Sequence, residues 1–383
     1  MKLLFITGSL VHGGAERHTI TLANRLAERG HEVRFAYVKA DHSQLERLRG
    51  AASVDCLNAR RYLDLRSISQ LSNLLRETKP NAVVAANPYA MLYASLARRA
   101  SGAGAPLAVT YHTTVLQGAK SWLQMLYYRP FFWSADRLVF VCEAQRRYWR
   151  RRGVFGRSTQ VIYNGIDTEH WCAGGVDRPA MRRALGYAED DFVVAMSAVL
   201  RAEKNHVQMV DAIAMLRRRG LPARALFIGD GPTRAAVEAR ARAAGIADSV
   251  LVTGFLQDVR PLLAACDAAA LCSTAVETFS LAALEAMALE KPVVHSAVGG
   301  AAEMIRPWRE GLLFPAGDTR ALADCLAALT EAPLRSRMGA QARRTVEELF
   351  TERAMVERYE AALTELASTR SQREQIRRSA AAH

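Results

Sequence analysis

Lys2-Leu3-Leu4-Phe5-Ile6-Thr7-Gly8-Ser9-Leu10-Val11-His12-Gly13-Gly14-Ala15 decides the fold of this 383-residue chain. Residues 2–6 are an apolar run behind a single lysine, the pattern of a strand covered on both faces. Residues 7–14 form a glycine-bearing loop, residues 15–29 read as a helix stopped by Gly30, and residues 32–38 read as a second strand. Strand, helix, strand is a βαβ unit, which implies a parallel sheet. Similar runs recur at 82–86, 107–111 and 138–142, predicting a doubly wound α/β domain over 1–165.

An irregular stretch with Gly174, Gly175 and Pro179 follows, and the alternation then restarts. Strands are predicted at 192–199, 225–229, 250–254, 268–272 and 292–295, with helices at 207–219, 233–244, 259–266 and 281–289 between them. The expected architecture is therefore two doubly wound, Rossmann-like parallel-sheet domains, 1–165 and 166–350, facing each other across a cleft. A polar tail with four arginines, 369–383, is expected to fray.

Composition agrees with a globular protein: 50% of residues are hydrophobic and 23% charged, which excludes a disordered or fibrous chain. Charge is uneven. Residues 1–165 carry 24 Lys and Arg against 10 Asp and Glu, a balance of +14, while the remainder carries −1. So basic a domain attracts anionic surfaces, whether phospholipid, polyphosphate or nucleic acid. The six cysteines, with no C-x-x-C pair, read as reduced thiols in a cytoplasmic protein. No secretion signal or transmembrane run is evident, so any membrane contact is expected to be peripheral.

Ligands of doubly wound sheets bind at the carboxyl ends of the strands, so the strand-to-helix loops carry the candidate residues. Gly13 and Gly14 precede a helix N-terminus, where backbone N–H groups and the helix dipole favour phosphate, although the loop is neither a Lys-Ser/Thr phosphate loop nor a dinucleotide fingerprint. The segment Glu277-Thr278-Phe279-Ser280-Leu281-Ala282-Ala283-Leu284-Glu285 places one acid before a helix and another on its apolar face. A carboxylate there calls for donors, and ribose hydroxyls can supply them; the alternative is a pairing of Glu285 with a core arginine and a solvated Glu277. Arg201 and Lys204, after the first strand of domain two, can neutralise a diphosphate. His112 ends a strand of domain one, where a histidine can be structural or catalytic. No metal-ligand spacing and no Gly-x-Ser-x-Gly elbow is present, so neither a metal site nor a serine hydrolase is expected.

Several separated motifs together resemble the retaining nucleotide-sugar glycosyltransferases of the GT-B fold, family 4. They are Gly13 to Arg17, Val161 to Asp167, Glu203-Lys204-Asn205, Phe227 to Pro232, Thr253-Gly254-Phe255, the acids Glu277 and Glu285, and Pro292 to Gly300 followed by Glu303. The resemblance implies transfer of a sugar from a nucleotide-diphosphate-sugar to a hydroxyl acceptor with retention of configuration and without a metal or cofactor. It assigns the donor to domain two and the acceptor to domain one. It implies catalytic roles for His112, Glu277 and Lys204, with Glu277 on the sugar hydroxyls, Lys204 on the diphosphate and Glu285 on the ribose. The implied donor-binding set is Gly13, Gly14, Arg201, Lys204, Phe255, Glu277, Thr278, Phe279, Ser280, Leu281 and Glu285. Where the family often has Gly-Arg-Leu, this chain has Ala198-Val199-Leu200, so Val199 stands at the usual arginine, and Arg201 either substitutes for it or points to solvent. The resemblance also suggests that a helix over 351–368 crosses back to domain one.

Trp122, Leu123, Met125, Leu126, Tyr127, Tyr128, Phe131, Phe132 and Trp133 lie between Lys120 and Arg137, and Arg146, Arg147, Arg150, Arg151 and Arg152 follow. Basic and aromatic side chains together suit an anionic membrane surface, on the inner face of the cytoplasmic membrane, and hence a lipid-linked glycan, lipopolysaccharide or other envelope-polysaccharide acceptor. The alternative is that the aromatics are core and the arginines a solvated face. Two other functions compete: a GT-B relative that transfers no sugar, such as an epimerase or donor-binding subunit, and a basic nucleic-acid-binding protein. No helix-turn-helix, zinc or RNA-recognition signature supports the latter, and nucleic acid is not an expected partner.

Overall fold

The computed structural model describes residues 1–113, 118–275 and 277–381, with 370–381 described as backbone only. The chain divides into two compact units, one of Met1–Tyr163 with Met355–His383 and one of Asn164–Ala354. In the first, seven parallel strands, β1 (Lys2–Thr7), β2 (Glu32–Tyr37), β3 (Ser53–Cys56), β4 (Ala82–Ala86), β5 (Leu107–Tyr111), β6 (Arg137–Phe140) and β7 (Ser158–Val161), lie in the order β3-β2-β1-β4-β5-β6-β7. Helices α1 (Gly14–Glu28), α2 (Leu65–Thr78), α3 (Asn87–Ser101), α4 (Gly118–Ser134) and α5 (Glu143–Arg150) connect or flank them. Successive side chains of a strand point to opposite faces, so Leu4 and Ile6 join the core beneath α2 and α3, while Leu3 and Phe5 join the one beneath α1.

The second unit repeats the plan with six parallel strands, β8 (Phe192–Ser197), β9 (Ala223–Ile228), β10 (Val250–Val252), β11 (Ala268–Leu271), β12 (Val293–Ser296) and β13 (Gly311–Phe314), ordered β10-β9-β8-β11-β12-β13. Its helices are α6 (Arg178–Ala184), α7 (His206–Arg218), α8 (Arg234–Ala243), α9 (Arg260–Ala265), α10 (Leu281–Ala288), α11 (Ala301–Met304), α12 (Thr319–Ala328) and α13 (Ala332–Leu349). Val194 and Met196 pack beneath α7 and α12, whereas Val193 and Ala195 face α9.

The last helix, α14 (Glu352–Ala381), belongs from Met355 onward to the first unit. Met355, Val356, Tyr359, Ala362, Leu363 and Leu366 pack with Leu3 and Phe5. Glu360 accepts from Arg29 (2.7 Å) and bonds His31 (2.7 Å), and Arg137 reaches Glu365 at 3.0 Å. The tail expected to fray beyond 368 instead continues this helix to Ala381. Residues 368–381 contain no Gly or Pro and are rich in Arg, Gln and Ala, so nothing in them stops a helix already nucleated. The four arginine side chains expected there lie outside the described residues.

Candidate active site

In the second unit β8 and β11 are neighbours, yet β8 connects outward to β9 on one side and β11 to β12 on the other. This is the topological switch point of the sheet, and the carboxyl ends of the strands there are the place where such sheets take ligands. The loop after β8 carries Arg201 and Lys204, the loop after β11 carries Glu277, and Thr274 N donates to Glu203 O across 2.9 Å to tie the two together. Within this frame Lys204 Nζ donates to Glu277 Oε2 at 2.6 Å and Ser273 Oγ donates to the same oxygen at 3.0 Å.

Lys204 is 24% and Glu277 11% exposed, so the pair sits at a half-dry mouth. Burial by itself raises the Glu277 pKa, but the charge and hydrogen bond of Lys204, the field of His295 and the Ser273 hydroxyl outweigh it and hold the carboxyl below its ordinary value. Glu277 is therefore ionised at neutral pH, and among the described residues its hydrogen bonds end on Oε2. Chemically the arrangement offers a cation for a phosphate and an acceptor oxygen, Oε1, for a hydroxyl.

The backbone after Glu277 is gripped on its carbonyl side. Gly299, at φ +57°, lies so close that a Cβ there would stand 2.0 Å from Glu277 O. Gly300 N donates to Thr278 O at 2.7 Å, and the buried Asn164 donates to Phe279 O at 2.9 Å. Phe279 packs its ring on Phe350 at 5.3 Å. Ser280 then caps α10, its Oγ accepting from Ala283 N at 3.3 Å, and Leu281 opens the helix half-buried. The first-turn N–H groups of α10 have no carbonyl inside their own helix. Glu285 lies on this helix only 2% exposed.

The remaining expected donor residues in this unit stand at the rim. Arg201 is exposed and forms no ion pair among the described residues; Val199 and Phe255 are exposed. Gly229 and Gly231 explain the Phe227 to Pro232 motif: Cβ atoms there would lie 2.2 Å from Ala198 O and 2.5 Å from Leu200 O, so only glycine lets this loop press against the one bearing Arg201.

In the first unit Gly13 is the N-cap of α1 in extended conformation, and the Glu16 carboxylate folds over it, 2.4 Å from where a Cβ would be. The helix start expected to greet a phosphate at Gly13 and Gly14 thus already faces a carboxylate of its own chain, which the helix dipole favours. His112, just past β5, donates its backbone N–H to Asn87 Oδ1 at 3.1 Å, and its ring meets His18 edge-on at 4.8 Å. His18 Nε2 and Tyr359 Oη lie 3.3 Å apart, so α14 backs this pair. Burial pushes His112 down to about 4 and, with the His112 charge, lowers His18 as well; both rings are neutral at neutral pH.

Sequence reasoning did not single out Ser273, His295, Ser296, Asn164, Gly299 or His18. Asn164, Gly299 and the residues around His295 lay inside quoted motifs, but their spacing carries no sign that they converge on 277–279. The basic aromatic stretch divides: Met125, Tyr128, Phe132 and Trp149 are buried in the core, while Leu123, Leu126, Tyr127 and Trp133 are exposed, as is Phe155 just beyond the stretch. Arg152 lies over the Tyr148 ring at 3.7 Å. No helix of the described residues is long and apolar enough to cross a membrane.

Comparison with known proteins bears on the family and the fold. Residues 12–170 match the family model described as Glycosyltransferase Family 4, and residues 177–345 match that of Glycosyl transferases group 1. Among curated proteins, the chain is 30% identical over 234 residues to glycosyltransferase EpsD of Bacillus subtilis, covering 59% of this chain and 60% of EpsD. It is 31% identical over 205 residues to N-acetyl-alpha-D-glucosaminyl L-malate synthase of Bacillus anthracis, covering 53% of each. The chain thus spans little more than half the length of these relatives. Among solved structures, Anabaena HepE in complex with UDP superposes with a TM-score of 0.84 at 23% identity over 95% of this chain and all of HepE. Sucrose-phosphate synthase from Thermosynechococcus elongatus gives 0.81 at 19% identity over 96% of this chain and all of that one. Two parallel-sheet units of this topology, matched by both family models in chain order, place the protein in glycosyltransferase family 4, with the GT-B fold.

Proposed function

We propose that this chain is a retaining glycosyltransferase that moves a sugar from a nucleotide-diphosphate-sugar to a hydroxyl acceptor without a metal ion. The observation that carries the reading is the Lys204–Glu277 pair at 2.6 Å across the switch point of the second sheet, beside the N-terminus of α10. Lys204 and the first N–H groups of α10 neutralise the diphosphate as it leaves, and Glu277 orients the sugar through Oε1. Glu285 takes the ribose. The bond from the anomeric carbon to the diphosphate breaks, the bond to the acceptor oxygen forms on the same face, and the acceptor proton passes to the departing diphosphate. His112 is neutral because it is buried, so the role we propose for it is hydrogen bonding rather than charge.

The acceptor we propose is a lipid-linked glycan or lipopolysaccharide, with the first unit resting on an anionic leaflet through the exposed Leu123, Leu126, Tyr127, Trp133 and Phe155 and the arginines of α5. Release of free nucleoside diphosphate, measured across several sugar donors starting with UDP-glucose, tests the activity. Turnover with at least one donor that Glu285→Ala abolishes supports the proposal; no release with any donor, or release unchanged in Glu285→Ala, overturns it.

A further inference from the structure

His295 is the penultimate residue of β12, its side chain wholly buried, in register with Leu271 of β11 on one side and Leu313 of β13 on the other. Its Nδ1 donates to Ser296 O at 2.6 Å, and Ser296 Oγ donates to Ser273 O at 2.7 Å. Ser273 Oγ in turn donates to Glu277 Oε2 at 3.0 Å. The imidazole therefore lies at the base of the polar chain that ends on the Glu277 carboxylate. With Nδ1 carrying the proton, Nε2 is a bare acceptor, and it is buried with no hydrogen-bond partner among the described residues. A buried ring nitrogen left in this state is costly, and its companions along the strand, Val293 and Val294, are apolar core.

The charged groups acting on the ring are Glu277, which favours its protonation, and Lys204, which opposes it. Just past β11 stands the buried Cys272 thiol, which burial pushes up to about 12 and so keeps uncharged, and β13 contributes Leu313. Burial outweighs Glu277 and keeps the ring neutral at neutral pH.

We propose that His295 is a positioning residue for Glu277: as the neutral ring it leaves Oε1 free to hold the donor sugar, and when protonated on Nε2 it takes that oxygen for itself. The inference rests on the functional reading above and adds to it an acid-side loss of donor binding. Lys204 and Ser273 already occupy Oε2, so Oε1 is the acceptor left for a new N–H, and a sugar hydroxyl competes for the same lone pairs. The expected signature is a donor KM that climbs as pH falls below the ordinary histidine value of about 6.5, with a smaller change in kcat.

His295→Asn retains a donor that can reach Ser296 O and removes the group that titrates; His295→Gln is its companion. Donor KM and kcat are measured from pH 5 to 8 for the wild type and both variants. The proposal expects the wild-type KM to rise by roughly fivefold or more between pH 7.5 and 5, and the rise to vanish in His295→Asn. An equal rise in wild type and His295→Asn overturns it. A second readout needs no turnover: the imidazole of His295 is titrated by NMR in wild type and in Glu277→Gln. A lower His295 pKa in Glu277→Gln supports the coupling and an unchanged one overturns it. If no donor turns over at any pH, the glycosyltransferase reading fails, while the NMR titration still decides whether His295 and Glu277 act on each other.

Discussion

Lys204 Nζ stands 2.6 Å from Glu277 Oε2, a bond between residues 73 positions apart that joins the two loops on either side of the sheet's topological switch. On the proposed function, a cation and an anion in contact there serve a ligand carrying both phosphate and hydroxyl groups, because each half of the pair can exchange part of its bonding for the ligand.

Lys204→Ala is expected to lower kcat/KM by roughly 10²- to 10³-fold, the usual cost of removing one donor that stabilises a developing anion. Steady-state kinetics with the best donor measures it. A change of less than about threefold would show that the ammonium does not meet the leaving group.

Gly299→Ala is expected to lower both the melting temperature and activity, since the new Cβ would lie 2.0 Å from Glu277 O at a φ of +57°. Gly245→Ala, at φ +69° with nothing within 4 Å, isolates the backbone strain alone, about 1 kcal/mol. Thermal unfolding of both separates the steric from the conformational cost, and equal losses would mean that the Gly299 loop moves away at no expense.

Glu310 is fully buried and accepts from Arg306 N at 2.8 Å, from the Arg306 guanidinium and from Thr345 Oγ1 at 2.9 Å. Burial raises its pKa, but these bonds prevail and lower it. With the folded pKa depressed, its contribution is fully present above the unfolded value of about 4.3 and fades as pH falls through the folded one. Glu310→Gln is expected to cost about 2 kcal/mol at pH 7 and much less near pH 3, by urea unfolding at the two pH values. An equal cost at both would show that the charge contributes nothing.

A double change, Leu123→Ser with Trp133→Ser, is expected to reduce recovery with anionic liposomes in flotation while leaving donor hydrolysis in solution unaltered. Both side chains are exposed, so folding is expected to survive. Equal flotation of wild type with anionic and neutral liposomes would end the membrane proposal.

Much of the fold was legible because its central strands are apolar on both faces: β1, β4 and β5 are runs such as Ala82-Val83-Val84-Ala85-Ala86 that read as buried strands without context. Of the edge strands, β10 was read but β3, β7 and β13 were not. β3 is Ser53-Val54-Asp55-Cys56, half-buried with no apolar run, and β13 opens on Gly311, which the sheet needs because a Cβ there would meet Val293 O at 2.0 Å. At the site, Lys204 and Glu277 were legible as residue types in strand-to-helix loops. Their direct bond was not, since strand order rather than sequence distance brings them together. His295 was hidden for a related reason: read as the end of an apolar strand, it shows its polar role only when Ser273, Ser296 and Glu277 assemble around it.

The most direct measurement is calorimetric titration of wild type, Glu277→Gln and Glu285→Gln with a nucleotide sugar and, separately, with the nucleoside diphosphate alone. If Glu277 holds the sugar and Glu285 the ribose, Glu277→Gln loses about tenfold or more for the nucleotide sugar while retaining the diphosphate, and Glu285→Gln loses both. Wild-type affinities for both ligands in both variants would contradict the assignment of these two acids to donor binding.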